Sequence, residues 1–120
     1  MPDTGNPNFF TTFKGRYTAT PASGVTAGSN VVMLSCVNDV IFCGNYQVQS
    51  YTQGQTLLTL PVECRPVDSI TLPISVYGDA TEVVSASIST AGTISLDVNY
   101  PKPLKVFFKG WSFNISPNFY

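Results

Sequence analysis

Residues 81–98 read TEVVSASISTAGTISLDV, and the fold class follows from how they alternate. Val84, Ala86 and Ile88 are spaced by serines, the period of a strand with one dry and one wet face. Ser89, Thr90, Ala91 and Gly92 supply a turn, after which Ile94, Leu96 and Val98 alternate back. Two alternating runs around a glycine-bearing turn make a hairpin. Just upstream, residues 69–78 (SITLPISVYG) do the same. Ile70, Leu72, Ile74 and Val76 face one way; Thr71, Pro73, Ser75 and Tyr77 face the other. Pro73 has no N–H for a ladder, which places it on an edge strand or a bulge. Downstream, residues 104–116 (LKVFFKGWSFNIS) put Leu104, Val106 and Phe108 on one face. Lys105, Phe107, Lys109, Trp111 and Phe113 fall on the other.

Further back, residues 56–61 (TLLTLP) form a short strand that Pro61 ends. A linker over 62–68 follows, in which Pro66 holds Arg65 extended. The two prolines make a stiff crossing, read as passing from one sheet to the other. Arg65 is then a fixed cation, placed to bond carbonyls or a carboxylate at a contact within or between subunits. In residues 30–49 (NVVMLSCVNDVIFCGNYQVQ), Val32, Leu34 and Cys36 share one parity. Asn38 and Asp39 form a two-residue turn into a strand led by Val40 and Phe42. Gly44 marks a bulge or a close backbone approach. Residues 10–19 are a weak first strand, 20–30 (TPASGVTAGSN) a loop, 50–55 a turn centred on Gly54, and 99–103 a loop. Residues 1–8, with two prolines, form an extended N-terminal arm, and 9–120 form the domain. The expected fold is all-β: a single antiparallel β-sandwich, jelly-roll-like, of about eight strands.

Composition narrows the function. At 120 residues the chain suits one core. Only 11% of residues are charged, far below the usual quarter or so. Such a surface has little electrostatic protection against association, so an oligomer or larger assembly is expected. A net charge of −1 argues against a nucleic-acid partner. Lys102, Lys105 and Lys109 are the one basic cluster and read as a solvated strand face. The N-terminus shows no signal-peptide pattern, and no apolar run is long enough to span a bilayer, so no membrane insertion and assembly in a cytoplasm are expected.

Catalysis finds no materials. The chain has no histidine, which rules out a Ser-His-Asp or Cys-His site. Its acids are Asp3, Asp39, Glu63, Asp68, Asp79, Glu82 and Asp97. They show neither a paired-carboxylate spacing for glycoside hydrolysis nor a calcium loop. Cys36, Cys43 and Cys64 are odd in number, form no CxxC, and suit neither a disulfide framework nor zinc. Cys64, beside Arg65, reads as a packing residue rather than a reactive thiol. The expectation is no enzyme, no catalytic residue, no metal and no cofactor. The aromatics Tyr17, Tyr46, Tyr51, Tyr77, Tyr100, Trp111 and Tyr120 point instead to an interface, with Trp111 on a strand that is apolar on both faces.

Leu60-Pro61, Arg65-Pro66, residues 71–76 (TLPISV), 87–96 (SISTAGTISL) and 109–113 (KGWSF) come in an order that has a family look. The order resembles the C-terminal β-sandwich domains of bacteriophage tail-fibre, baseplate and receptor-binding proteins. The likeness covers about half the chain, and it departs at Glu63-Cys64, where the family carries a small residue and an aromatic. The resemblance implies a homotrimer about a threefold axis, a place in a virion, and host attachment through a surface glycan or protein. Interface or binding residues are then expected at Arg65, Tyr77, Phe107, Trp111 and Phe113. The arm, with Phe9 and Phe10 following it, is expected to dock on another virion protein. Two alternatives stand beside this. One is a purely architectural virion protein without receptor binding: a head fibre, capsid decoration, or tail or baseplate accessory protein. The other is a monomeric carbohydrate-binding module with an aromatic groove.

Overall fold

A computed structural model describes residues 13–35 and 39–115. The arm, Phe9, Phe10, Cys36 and Asn38 of the expected turn lie outside the described residues. The hairpin at 81–98 forms as read: β7 (Thr81–Ile88) pairs β8 (Thr93–Leu96), with Ala86 opposite Leu96 and Ile88 opposite Ile94, all four buried. Gly92 turns the chain at φ 83°, a conformation that costs a glycine little. β6 (Ile70–Tyr77) lies along β7 for its whole length, Ile70 opposite Ile88 and Tyr77 opposite Thr81. The other strands are β1 (Phe13–Tyr17), β2 (Thr20–Pro21), β3 (Val25–Ser35), β4 (Asp39–Val48), β5 (Thr56–Thr59) and β9 (Leu104–Asn114). A 3-10 turn at Val62–Cys64 interrupts the linker between β5 and β6.

The described strands form one antiparallel sheet of nine, one more than expected, in the order β1-β3-β4-β9-β6-β7-β8-β5-β2. β6, β7 and β8 are successive neighbours, and β9 returns to lie beside β6, which is Greek-key order. The two outermost strands, β1 and β2, are separated in the chain only by Thr18 and Ala19. So short a link spans roughly 10 Å at most, so the sheet must curl until its edges meet. Both halves of the curl then feed one core. Val32, Val40, Phe42, Tyr46 and Phe108 come from one half, and Val76, Ala86, Ile88, Ile94 and Leu96 from the other.

Three local expectations change. Residues 20–30 are not a loop. After the turn at Gly24 (φ 84°), Val25 and Ala27 pack against the core as the start of β3. The β3·β4 register slips between Ala27 and Asn30, so the inward parity passes from 25 and 27 to 30, 32 and 34. That break in phase disguised the strand. Pro73 is neither on an edge strand nor in a bulge: β6 is internal and its register with β7 is unbroken. β9, however, joins β6 only at Ser75, Val76 and Tyr77, so Pro73 sits where no β9 bond is lost. The proline crossing leads from β5, next to the β2 edge, past β8 and β7 to β6. It arches over the β7–β8 turn, where Leu60 N–H bonds Gly92 O at 2.8 Å. Finally, Phe113 does not share a face with Phe107. Lys109 and Gly110 lie opposite the single residue Cys43, since Phe108 pairs Gly44 and Trp111 pairs Phe42. This bulge turns Phe113 inward, where it is buried with Phe108. Gly44 lies at the same slip, within a close approach: a Cβ there would sit 3.0 Å from the Tyr46 hydroxyl and 3.1 Å from Ser29 O.

Where the chain passes from β1 to β2, Asn30 holds it. Asn30 Oδ1 accepts from Ala19 N–H (3.1 Å) and from the Tyr46 hydroxyl (2.5 Å), and its Nδ2 donates to Ala19 O (2.6 Å). Burial pushes the Tyr46 hydroxyl's pKa up, so it stays a donor.

Candidate functional site

β9 and β6 present their wet faces to the same side of the sheet. Pairing fixes two cross-strand rows there: Asn45, Phe107, Ser75 and Val83; and Gln47, Lys105, Tyr77 and Thr81. Tyr77 is 49% exposed and Val83 70%, while Phe107 is half-buried. Lys109 Nζ lies 5.6 Å from the Phe107 ring centroid, a cation–π contact. Lys105 is exposed in the neighbouring row. Where β9 leaves β6, a depression of about 310 Å³ opens, lined by Pro73, Val83, Phe107 and Lys109 among others. The result is a face on which Phe107, Tyr77 and Val83 stand among polar residues, edged by Lys105 and Lys109.

Of the residues singled out from sequence, Tyr77 and Phe107 come together here on neighbouring strands. Trp111 is held on β9 opposite Phe42, with its side chain outside what the structure describes. Phe113 belongs to the core. Arg65 is half-buried away from this face: its Nε donates to Leu60 O at 3.2 Å and its stem lies against Gly92. Those contacts brace the arch over the β7–β8 turn. Sequence reasoning passed over Val83, although its position on the wet parity of a serine-rich strand was a readable signal. It also passed over Val62 (68% exposed) and Val67 (49%), which sit outward on the arch beside the exposed Glu63 and Asp68.

A second depression, about 340 Å³, lies on the far side of the same sheet surface, lined by hydroxyls of Thr71, Ser85, Ser87 and Ser95 with Gln53 and Asp97. Gln53 Nε2 donates to Asp97 Oδ1 at 2.6 Å. Among the described residues, no group of three or more Cys, Asp or Glu side chains converges as metal ligands would. Asp79 meets Lys102 at 3.0 Å, and the lysine holds its carboxyl below the usual range. Among the described residues, no helix is long and apolar enough to cross a membrane.

Cys64 points into the core with no exposed surface, and burial, aided by the Glu63 charge, pushes its thiol up to about 11. A thiolate is therefore scarce at neutral pH. At pH 7.5 a maleimide is expected to leave Cys64 unmodified in the folded chain and to label it once the chain is unfolded. Peptide mapping of labelled protein checks this, and prompt native-state labelling at Cys64 would contradict the buried placement.

The chain matches no protein-family model, and no curated protein sequence shows significant similarity to it.

Proposed function

We propose that the chain is a structural module of a bacteriophage virion: a β-sandwich that assembles as a homotrimer in a fibre or spike and serves host attachment. The observation that carries the assembly role is the Tyr77–Phe107–Val83 face, apolar and outward on a domain with few charges to keep copies apart. Curl and connectivity support the sandwich reading. β4·β9, β5·β8 and β6·β7 are three nested antiparallel pairs, the winding of a jelly roll. The virion itself rests on the ordered motifs within 57–113 and their resemblance to phage fibre and receptor-binding domains.

A second reading keeps the virion and removes the receptor, making the chain a purely architectural head-fibre, decoration or baseplate accessory protein. The hydroxyl-lined depression around Ser87 and Asp97 favours the attachment reading, since Asp and Gln side chains beside hydroxyls suit a neutral glycan. Deleting the gene from a phage that carries it separates the outcomes. Attachment predicts complete particles that lack this chain and adsorb poorly to the host. Incomplete particles favour the architectural role, and complete particles with normal adsorption contradict both.

A further inference from the structure

Four large hydrophobic side chains are well exposed among the described residues: Val62, Val67, Tyr77 and Val83. They do not scatter. Tyr77 and Val83 flank Phe107 on the face that carries Lys105 and Lys109. Val62 and Val67 stand on the arch, each next to an exposed acid, Glu63 and Asp68. The arch also holds Arg65, half-buried and turned back onto Leu60 O, so its outward charge is that of the two exposed acids, and the chain owns two apolar patches of opposite outward charge. Within the described residues, none of these four charges meets an opposite one.

We infer that the two patches are the halves of one contact, in which the 62–68 arch of one copy seats on the β9 face of the next. This rests on the reading that the chain assembles with itself, and it names the surfaces that do so. The arch is shaped for the role. Cys64 and Pro66 point inward and are buried, which turns the residues on either side of them outward. Pro61, at φ −63°, and the Arg65–Leu60 bond hold the backbone, so little order remains to be lost on docking. The face is equally fixed, because Phe107 and Tyr77 stand on internal strands. Valines reach the apolar floor while Glu63 and Asp68 meet the lysines at its rim, giving charge complementarity that sets register. Every copy carries one of each patch, at different places on its surface. Such a head-to-tail contact repeats from copy to copy and ends only when a ring closes.

The test uses the whole chain and its native mass over a range of concentrations. Two variants reverse one side each: Lys105→Glu with Lys109→Glu, and Glu63→Lys with Asp68→Lys. All four positions are exposed, so folding should survive, which circular dichroism checks. Each pair is expected to weaken association by roughly a hundredfold or more, since like charges then face each other. The fourfold variant, with both sides reversed, is expected to recover the assembly. If the unmodified chain assembles but neither pair disturbs it, or the fourfold variant stays dissociated, the arch is not the partner of the β9 face, and self-assembly itself stands. If the unmodified chain is a monomer at every concentration, self-assembly fails and the contact with it.

Discussion

Phe42→Ala is expected to destabilise the folded chain by about 3–5 kcal/mol, and to lower the melting temperature by on the order of 15 °C. Phe42 has no exposed surface. Its ring centroid lies 4.5 Å from that of Phe108 and 6.1 Å from that of Tyr46, three large rings from two paired strands. Phe108 and Tyr46 meet edge-on at 75° and 5.9 Å. The cluster sits where β4 and β9 slip in register, so neighbouring backbone is already committed to a bulge and cannot collapse into the space an alanine leaves. The cavity term should therefore be large. Urea unfolding followed by tryptophan fluorescence measures it. A loss below about 1 kcal/mol would mean that the cluster is not packed as described.

The second large effect is expected at Asn30. Asn30→Ala removes three hydrogen bonds at once and leaves Ala19 N–H, Ala19 O and the Tyr46 hydroxyl without the partners that meet them now. Stranding partly buried polar groups costs about 1–3 kcal/mol each before water relieves them, so a total of about 2–4 kcal/mol is expected. Tyr46→Phe alone should cost less, because it strands only a lone pair on Asn30 that retains Ala19. Measured together, the two substitutions should be non-additive, since they share one bond. Simple additivity would show that the Tyr46–Asn30 bond contributes nothing. The position explains the cost. Asn30 ties the chain where it passes from one outer edge of the sheet to the other, and the curl depends on that passage.

Much of this fold was legible because one face of most strands is dry. Ile70 to Val76, Val84 to Leu96 and Leu104 to Phe108 alternate without interruption, and each falls on the side of the sheet its parity indicated. Legibility failed at bulges. One extra residue reverses parity, and nothing in the side chains of Gly28, Ser29, Lys109 or Gly110 announces which strand will carry it. So the start of β3 read as a loop, and Phe113 read as outward. Topology failed for a different reason. The order that sets β1 and β2 at opposite edges, yet two residues apart, is a long-range arrangement that local alternation does not encode. The candidate face was half legible: Tyr77 and Phe107 stood on wet parities, but their meeting depends on β9 returning beside β6. The acidic arch was visible as a stiff proline link, while the outward turn of Val62 and Val67 follows from Cys64 and Pro66 being drawn into the core.

Native mass spectrometry of the unmodified chain, across micromolar concentrations and low salt, tests the central claim most directly. A trimer is the predicted result. It would establish the self-assembly on which the contact of the β9 face rests. A monomer throughout that range would contradict the account, and would leave that face as a surface for some other partner.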